Sequence, residues 1–308
     1  MSTHATPLGP DFLHPLFAGF ARWRGLPQRW TVAELNRLEP TDAGPGPFFV
    51  AQTPDLLADG LHYEQRIAER GLIATREGGV HDLFNALTWL AHPALKRAMN
   101  ARQAADVARV GPKQRTRGQC ALTHFDEAGA IVWLADADLL AAWDAHDWAA
   151  LFLDGRRAWG ARVAVTVVGH ALHEYALEHC AMPVAKALAV AVDGASIAAR
   201  SGFGAAIASW PELERRIASE IADGRLLADP QELRPLPLAG VPRWHAGEQT
   251  AEFYASAPCF RPLREGRRYP PPFAPVQRCE DLPNVKTANE AAACRRDAPS
   301  VPRAGNFF

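Results

Sequence analysis

The sequence predicts an α+β fold, with helices packed on a small mixed sheet that includes a β-hairpin, and an irregular C-terminal tail. Three observations carry that prediction. Apolar residues recur at helical spacing around 80–109 and 211–222. The β-branched run VAVTVV at 163–168 reads as a buried strand, and ALTHF (121–125) and AIVWL (130–134) alternate around Asp126-Glu127-Ala128-Gly129 as a hairpin would. From Pro258 onward the chain holds nine prolines, and its composition turns Arg- and Pro-rich.

The elements follow in order. Residues 11–24 carry Phe12, Leu16, Phe17 and Phe20 on a loose apolar helical face. Thr31 with Glu34 three residues on has the spacing of a capping box. GPGP at 44–47 is a linker, and Phe48 begins the main body. Residues 61–70 form a helix closed by Gly71, and 71–79 form a connector. Val80, Leu83, Phe84, Leu87 and Leu90 mark a helix that His92-Pro93 must break, because the residue before proline is driven out of the α region. Pro93 then opens a second helix to about Arg109, and 111–118 is a polar loop. In the hairpin, Gly129 takes the position that needs positive φ. A Trp-containing helix is expected over 137–153. The strand at 163–168 runs through Gly169 into a helix at 170–180, and KALAVAV (186–192) is a further strand. Pro211 sits at the first position of a helix over 212–222, with Gly224 beyond its end. The expected organisation is an N-terminal extension over 1–47, one globular domain over 48–264 and a disordered tail over 265–308.

Composition narrows the function. The 308 residues are 48% hydrophobic and 22% charged, which is globular usage and enough chain for a full core. A net charge of −1 offers no basic surplus, so nucleic acid is not an expected partner. The loop cations Lys113, Arg115 and Arg117 would neutralise few phosphates. The five cysteines, Cys120, Cys180, Cys259, Cys279 and Cys294, form no CxxC pair, which fits a reducing cytoplasm. The start MSTHATPLGPDF has no signal-peptide pattern, and no apolar run reaches the roughly 20 residues of a membrane span. GxGxxG, P-loop and GxSxG motifs are absent.

Three constellations could carry chemistry. His81, Asn85, Thr88 and His92 lie at i, i+4, i+7 and i+11 of one helix, with Asp82 beside them. Such a stripe is either the solvent face or a set of inward polar groups, each costing about 1–3 kcal/mol if left unpaired. HALHE (170–174) places His170 one helical turn from Glu174. That pair can share a metal, or the carboxylate can orient the imidazole. It is neither HExxH nor HxxEH, and an ordinary His–Glu surface pair has the same spacing. Asp126 and Glu127 in the expected hairpin turn would cap their own backbone unless the turn faces the two helices.

The strings YEQRIAERG, TREGGVHDLFNALTWL, ALTHFDEAGAIV, GHALHE, LPLAGVPRWH and FYASAPCFRPLR follow in this order across 48–264. They resemble a bacterial family, domain of unknown function DUF3025. Two positions depart from its pattern: Val80 stands where an aromatic is frequent, and His124 where an apolar residue is. The resemblance implies no activity, substrate or cofactor, but it points to the segments bearing His81, Asp82 and Asn85, Asp126 and Glu127, and His170 and Glu174.

The leading expectation is a cytoplasmic enzyme, a metal-assisted hydrolase. Its catalytic residues would be His81, Asp82, Asn85, Asp126, His170 and Glu174. His81, His170 and Asp126 would hold a divalent ion, with Glu174 as orienter or general base, and Arg117 and Glu127 would bind a small polar or anionic substrate. A metal-free variant uses His170–Glu174 as a base dyad. The alternative is a non-catalytic binding module in which these groups are hydrogen-bond staples and the Arg/Pro tail docks a partner. A shared site requires His81, His170 and Glu174 to lie within about 8 Å of one another.

Overall fold

The structure is a computed structural model that describes residues 14–23, 30–41, 48–177 and 182–275. The expected linker at 44–47, both ends of the helix at 11–24, the last turn of the helix at 170–180 with Cys180, and the tail beyond 275 lie outside the described residues.

Pro15–Trp23 is a 3-10 helix whose Leu16, Phe17, Phe20 and Trp23 are buried. The one-turn α1 (Val32–Leu35) starts at the Thr31–Glu34 capping box. Strand β1 (Phe48–Ala51) leads into another single turn, α2 (Pro54–Leu57). Helix α3 (Tyr63–Arg70) ends at Gly71, whose φ of +67° is the left-handed value that favours glycine. The segment expected as a connector contains a strand, β2 (Leu72–Thr75), parallel to β1. Four residues are too few for periodicity to reveal. Helices α4 (Val80–Ala91) and α5 (Pro93–Val110) meet at His92, as the His-Pro step requires.

The hairpin is the main correction. Residues 117–128 form helix α6 (Arg117–Ala128), followed directly by strand β3 (Gly129–Leu134). A capping box starts the helix: Thr116 Oγ1 accepts from the Gln119 amide at 3.0 Å, and Gln119 Oε1 accepts from the Thr116 amide at 2.8 Å. Ala121, Leu122 and Phe125 are all buried, which is helical spacing, and this outweighs the apparent alternation of ALTHF. Gly129 has φ −75°, so its role is not a left-handed turn. Asp126 and Glu127 therefore sit in the last turn of a helix.

The helix expected over 137–153 also divides. Helix α7 (Ala137–Asp144) stops before His146, whose φ is +56°, and a π-helical turn covers Ala149–Leu153. Strand β4 (Val163–Val167), helix α8 (His170–Ala176) and strand β5 (Val184–Ala191) lie where the sequence placed them. They are followed by α9 (Gly194–Arg200), α10 (Pro211–Ala222) with Pro211 at its first position, β6 (Arg234–Pro237) and α11 (Ala251–Ser256).

The main sheet has the order β4-β3-β5-β6 and is mixed: β3 is antiparallel to β4 and parallel to β5, and β6 is antiparallel to β5. Side chains of a strand alternate between faces, and here both faces are covered. Ala130, Val132 and Leu134 of β3 join a core with Phe84 and Leu87 of α4, Leu172 of α8 and the 3-10 segment. Ile131 and Trp133 join a second core with Leu95 and Met99 of α5, Leu122 and Phe125 of α6, and Ile217 and Ile221 of α10. Every residue of β3 is buried, which explains its unbroken apolar sequence. Past Arg264 the chain still pairs with the sheet: the Phe273 amide donates to Ala189 O at 2.9 Å.

Candidate metal centre

Three helix ends meet at one end of the sheet. His81 lies in the first turn of α4, Glu127 in the last turn of α6 and His170 at the start of α8. Two glycines make this approach feasible. A Cβ on Gly169 would lie 2.3 Å from the Gly129 amide nitrogen and 2.5 Å from Ala128 Cα. A Cβ on Gly129 would lie 2.1 Å from Phe125 O. The Val168 and Gly169 amides both donate to Gly129 O, at 3.0 and 2.8 Å. The α6–β3 junction is thereby clamped to the β4–α8 junction, and His170 is set beside Glu127.

His170 Nε2 is 3.1 Å from His81 Nε2 and 3.4 Å from Glu127 Oε2. One ligand atom each from His81, Glu127 and His170 fall within 4.8 Å of one another. Ligands of a tetrahedral ion with bonds of about 2.0–2.1 Å sit about 3.3 Å apart, so these three donors can hold one divalent cation and leave a position open. Glu174 Oε2 lies 3.0 Å from His81 Nδ1. A carboxylate only accepts, so Nδ1 carries a proton, and Nε2 is the nitrogen turned toward His170 that is left to offer a lone pair. Glu174 is thus the orienter of His81, across two helices, rather than the partner of His170 on its own helix.

Electrostatics favour the same role. Burial holds His170 down to about 4, Asp126 opposing and the Lys96 and His81 charges reinforcing, so its ring is neutral near pH 7 and can donate a lone pair. Among the described residues no hydrogen bond reaches its buried Nδ1. Burial and the adjacent Asp126 charge push Glu127 upward.

The other predicted residues divide. Asp126 lies beside the centre but turns to Lys96 Nζ, and Glu127 is the carboxylate that groups with both histidines. Burial raises the Asp126 carboxyl, yet the charges of Lys96 and His170 more than offset it and hold the group below its usual value. Asn85 accepts from Lys96 Nζ and donates to Tyr63 OH, both at 3.0 Å. Asp82 faces Arg76, accepting from its guanidinium at 2.8 Å and from its amide at 2.6 Å. Arg117 pairs with Asp229 at the opposite end of α6 from Glu127, roughly 15 Å along the helix at 1.5 Å per residue. The α4 stripe is not a solvent face at its far end, since Thr88 and His92 are fully buried. His92 Nδ1 lies 3.0 Å from Glu214 Oε2.

Sequence reasoning missed Lys96, Tyr63 and Glu64. Lys96 side chain is 4% exposed and joins Asn85 to Asp126. Glu64 accepts from Asn100 Nδ2 at 2.6 Å, and burial pushes its carboxyl up to about 7. Only three-dimensional proximity identifies them, although a lysine between Leu95 and the apolar Ala98-Met99 pair was a usable signal.

Fold and site define an α+β protein with a two-histidine, one-carboxylate cluster at the end of a mixed sheet. The sequence profile of one family, described as protein of unknown function (DUF3025), matches residues 48–264, and the chain belongs to that family. No curated protein and no solved structure matches it. Among the described residues, no helix is long and apolar enough to cross a membrane.

Proposed function

We propose that the chain is a metal-dependent hydrolase, with His81, His170 and Glu127 as ligands of a divalent ion. One observation carries this reading: two imidazole Nε2 atoms and a carboxylate converge at ligand spacing, and a second carboxylate fixes the tautomer of one imidazole. Metal-binding histidines usually donate their other ring nitrogen to such a group. The ion would lower the pKa of a bound water toward 7, and that water would add to an ester, amide or phosphoester while the scissile bond breaks. Two histidines and a carboxylate suit zinc, and also ferrous iron. The substrate is a small polar or anionic molecule, and the free cysteines Cys120 and Cys259 agree with a cytoplasmic setting.

A second reading has its own support. Asp82–Arg76 and Asn85–Lys96–Asp126 are satisfied polar networks, as a binding module with structural staples would have. Hydrolysis of 4-nitrophenyl esters and phosphates by chelator-stripped protein, before and after adding zinc or manganese, separates the two. Turnover restored by metal in wild type and lost in His170→Ala supports the hydrolase. Turnover absent with every metal, in protein that still binds the ion, overturns it.

A further inference from the structure

One well-formed cavity contains no residue of the metal cluster. It encloses about 800 Å³ beneath β5 and β6, within the range of small-molecule sites. Lys186, Arg261, Arg264 and Arg267 line it, and no Asp or Glu does, among the described residues. Lys186, Arg261 and Arg264 are exposed, and no ion pair engages them among the described residues. The walls include the apolar side chains of Trp148, Met182, Val184 and Leu233.

Part of the cationic rim is held in place. His146 adopts the left-handed backbone that ends α7, with φ +56°, and so turns its ring back onto the chain at 261–269. Its Nδ1 donates to Arg261 O at 3.1 Å, and Trp148 Nε1 donates to the same carbonyl at 2.9 Å. With Nδ1 protonated, Nε2 of the neutral ring accepts from Tyr269 OH at 2.8 Å. Burial chiefly, and the charge of Arg267, keep that ring in its neutral form. Arg267 lies over the Tyr269 ring at 4.2 Å and donates to Gln231 O at 2.5 Å. The backbone of Arg261 and the guanidinium of Arg267 are therefore fixed before any ligand arrives.

We propose that this cavity binds a small organic anion, a phosphate- or carboxylate-type group carried on an apolar body. Lys186, Arg261 and Arg264 would take the charge, and Trp148, Met182 and Val184 the body. Multiple cations with no carboxylate among the described lining residues select for negative charge, and the apolar walls select against a bare inorganic ion. The inference stands whether or not the cluster at His81 and His170 holds a metal.

The test is calorimetric titration of the full chain with phenyl phosphate, inorganic phosphate and an acidic peptide, at low and at physiological salt. Phenyl phosphate should bind at least tenfold tighter than inorganic phosphate and weaken as salt rises. Arg264→Ala and Lys186→Ala, both at exposed positions, should each weaken it several-fold, and the double variant tenfold or more. Phenyl phosphate should bind His170→Ala as it binds wild type, which separates this site from the metal centre. No binding at millimolar phenyl phosphate, affinity unchanged in the double variant, or preference for the acidic peptide would each overturn the proposal.

Discussion

Glu174 determines which nitrogen of His81 faces His170, although it need not touch a substrate or an ion. Removing such an orienting carboxylate typically lowers metal affinity by about 10–100-fold. Glu174→Gln should therefore weaken zinc binding by that factor in competition with a chromogenic chelator, and Glu127→Ala should weaken it further. Equal affinity in wild type and Glu174→Gln would remove Glu174 from the site. Lys96 acts on stability. Its ammonium compensates Asp126, which is one-fifth exposed, and breaking a buried pair at one partner costs about 3–5 kcal/mol. Lys96→Met should lower urea stability by about that much, and adding Asp126→Asn should restore most of it. A Lys96→Met protein as stable as wild type would contradict the pairing. At this scale the sequence singled out His81, His170 and Glu174, because helical spacing and the Gly169 junction are local, but it assigned the third ligand to Asp126 and gave Glu127 to substrate, whereas Glu127 is the carboxylate grouped with both histidines. It could not indicate that Glu174 reaches across to His81, or that Asp126 answers to Lys96, since those choices depend on how helices cross.

At the scale of elements, the site depends on a contact between two chain reversals. Gly169 must approach Gly129 so closely that any side chain meets backbone, which cannot move aside as a flexible side chain would. Gly169→Ala should destabilise the fold by about 3 kcal/mol, at the upper end for overpacking. Gly71→Ala is the control. It places a methyl in open space but in a left-handed conformation, and should cost only about 1–2 kcal/mol. Comparable melting temperatures for the two variants would mean that the clamp is not close-packed. The elements also mark where sequence pattern succeeds and where it fails. The α4–α5 break was readable because His-Pro is a steric rule. The 117–134 segment was misread because ALTHF satisfies alternation and helical spacing alike, and the deciding capping box begins at Thr116, upstream of the window. Correcting that reading moves Asp126 and Glu127 from a turn to a helix end, where they can face His170.

Over the whole molecule, a mixed sheet buried on both faces holds polar groups deep in its layers, and acid should find them. His173 is packed against Phe20 at 4.3 Å between ring centroids, and burial lowers its pKa to about 3. Between that value and the ordinary 6.5, the unfolded chain takes a proton that the folded chain refuses. Stability should therefore fall as pH drops from about 6.5 toward 3, by up to a few kcal/mol from this group. The stability difference between wild type and His173→Phe should shift with pH over that window and stay flat above pH 7. A difference independent of pH would refute the assignment. The fold class and mixed sheet could be inferred from composition and β-branched runs, whereas strand order could not, because β3 pairs with β4 and β5 rather than with its sequence predecessor. The central claim is that His81, His170 and Glu127 hold one metal ion, and it is tested most directly by elemental mass spectrometry of untagged protein purified without chelator. Near one equivalent of zinc or iron in wild type, lost in both His81→Ala and His170→Ala, is the predicted result, with iron redirecting the chemistry away from hydrolysis. Metal-free wild type that takes up neither ion on addition would contradict the account and leave the cluster as a structural hydrogen-bond network.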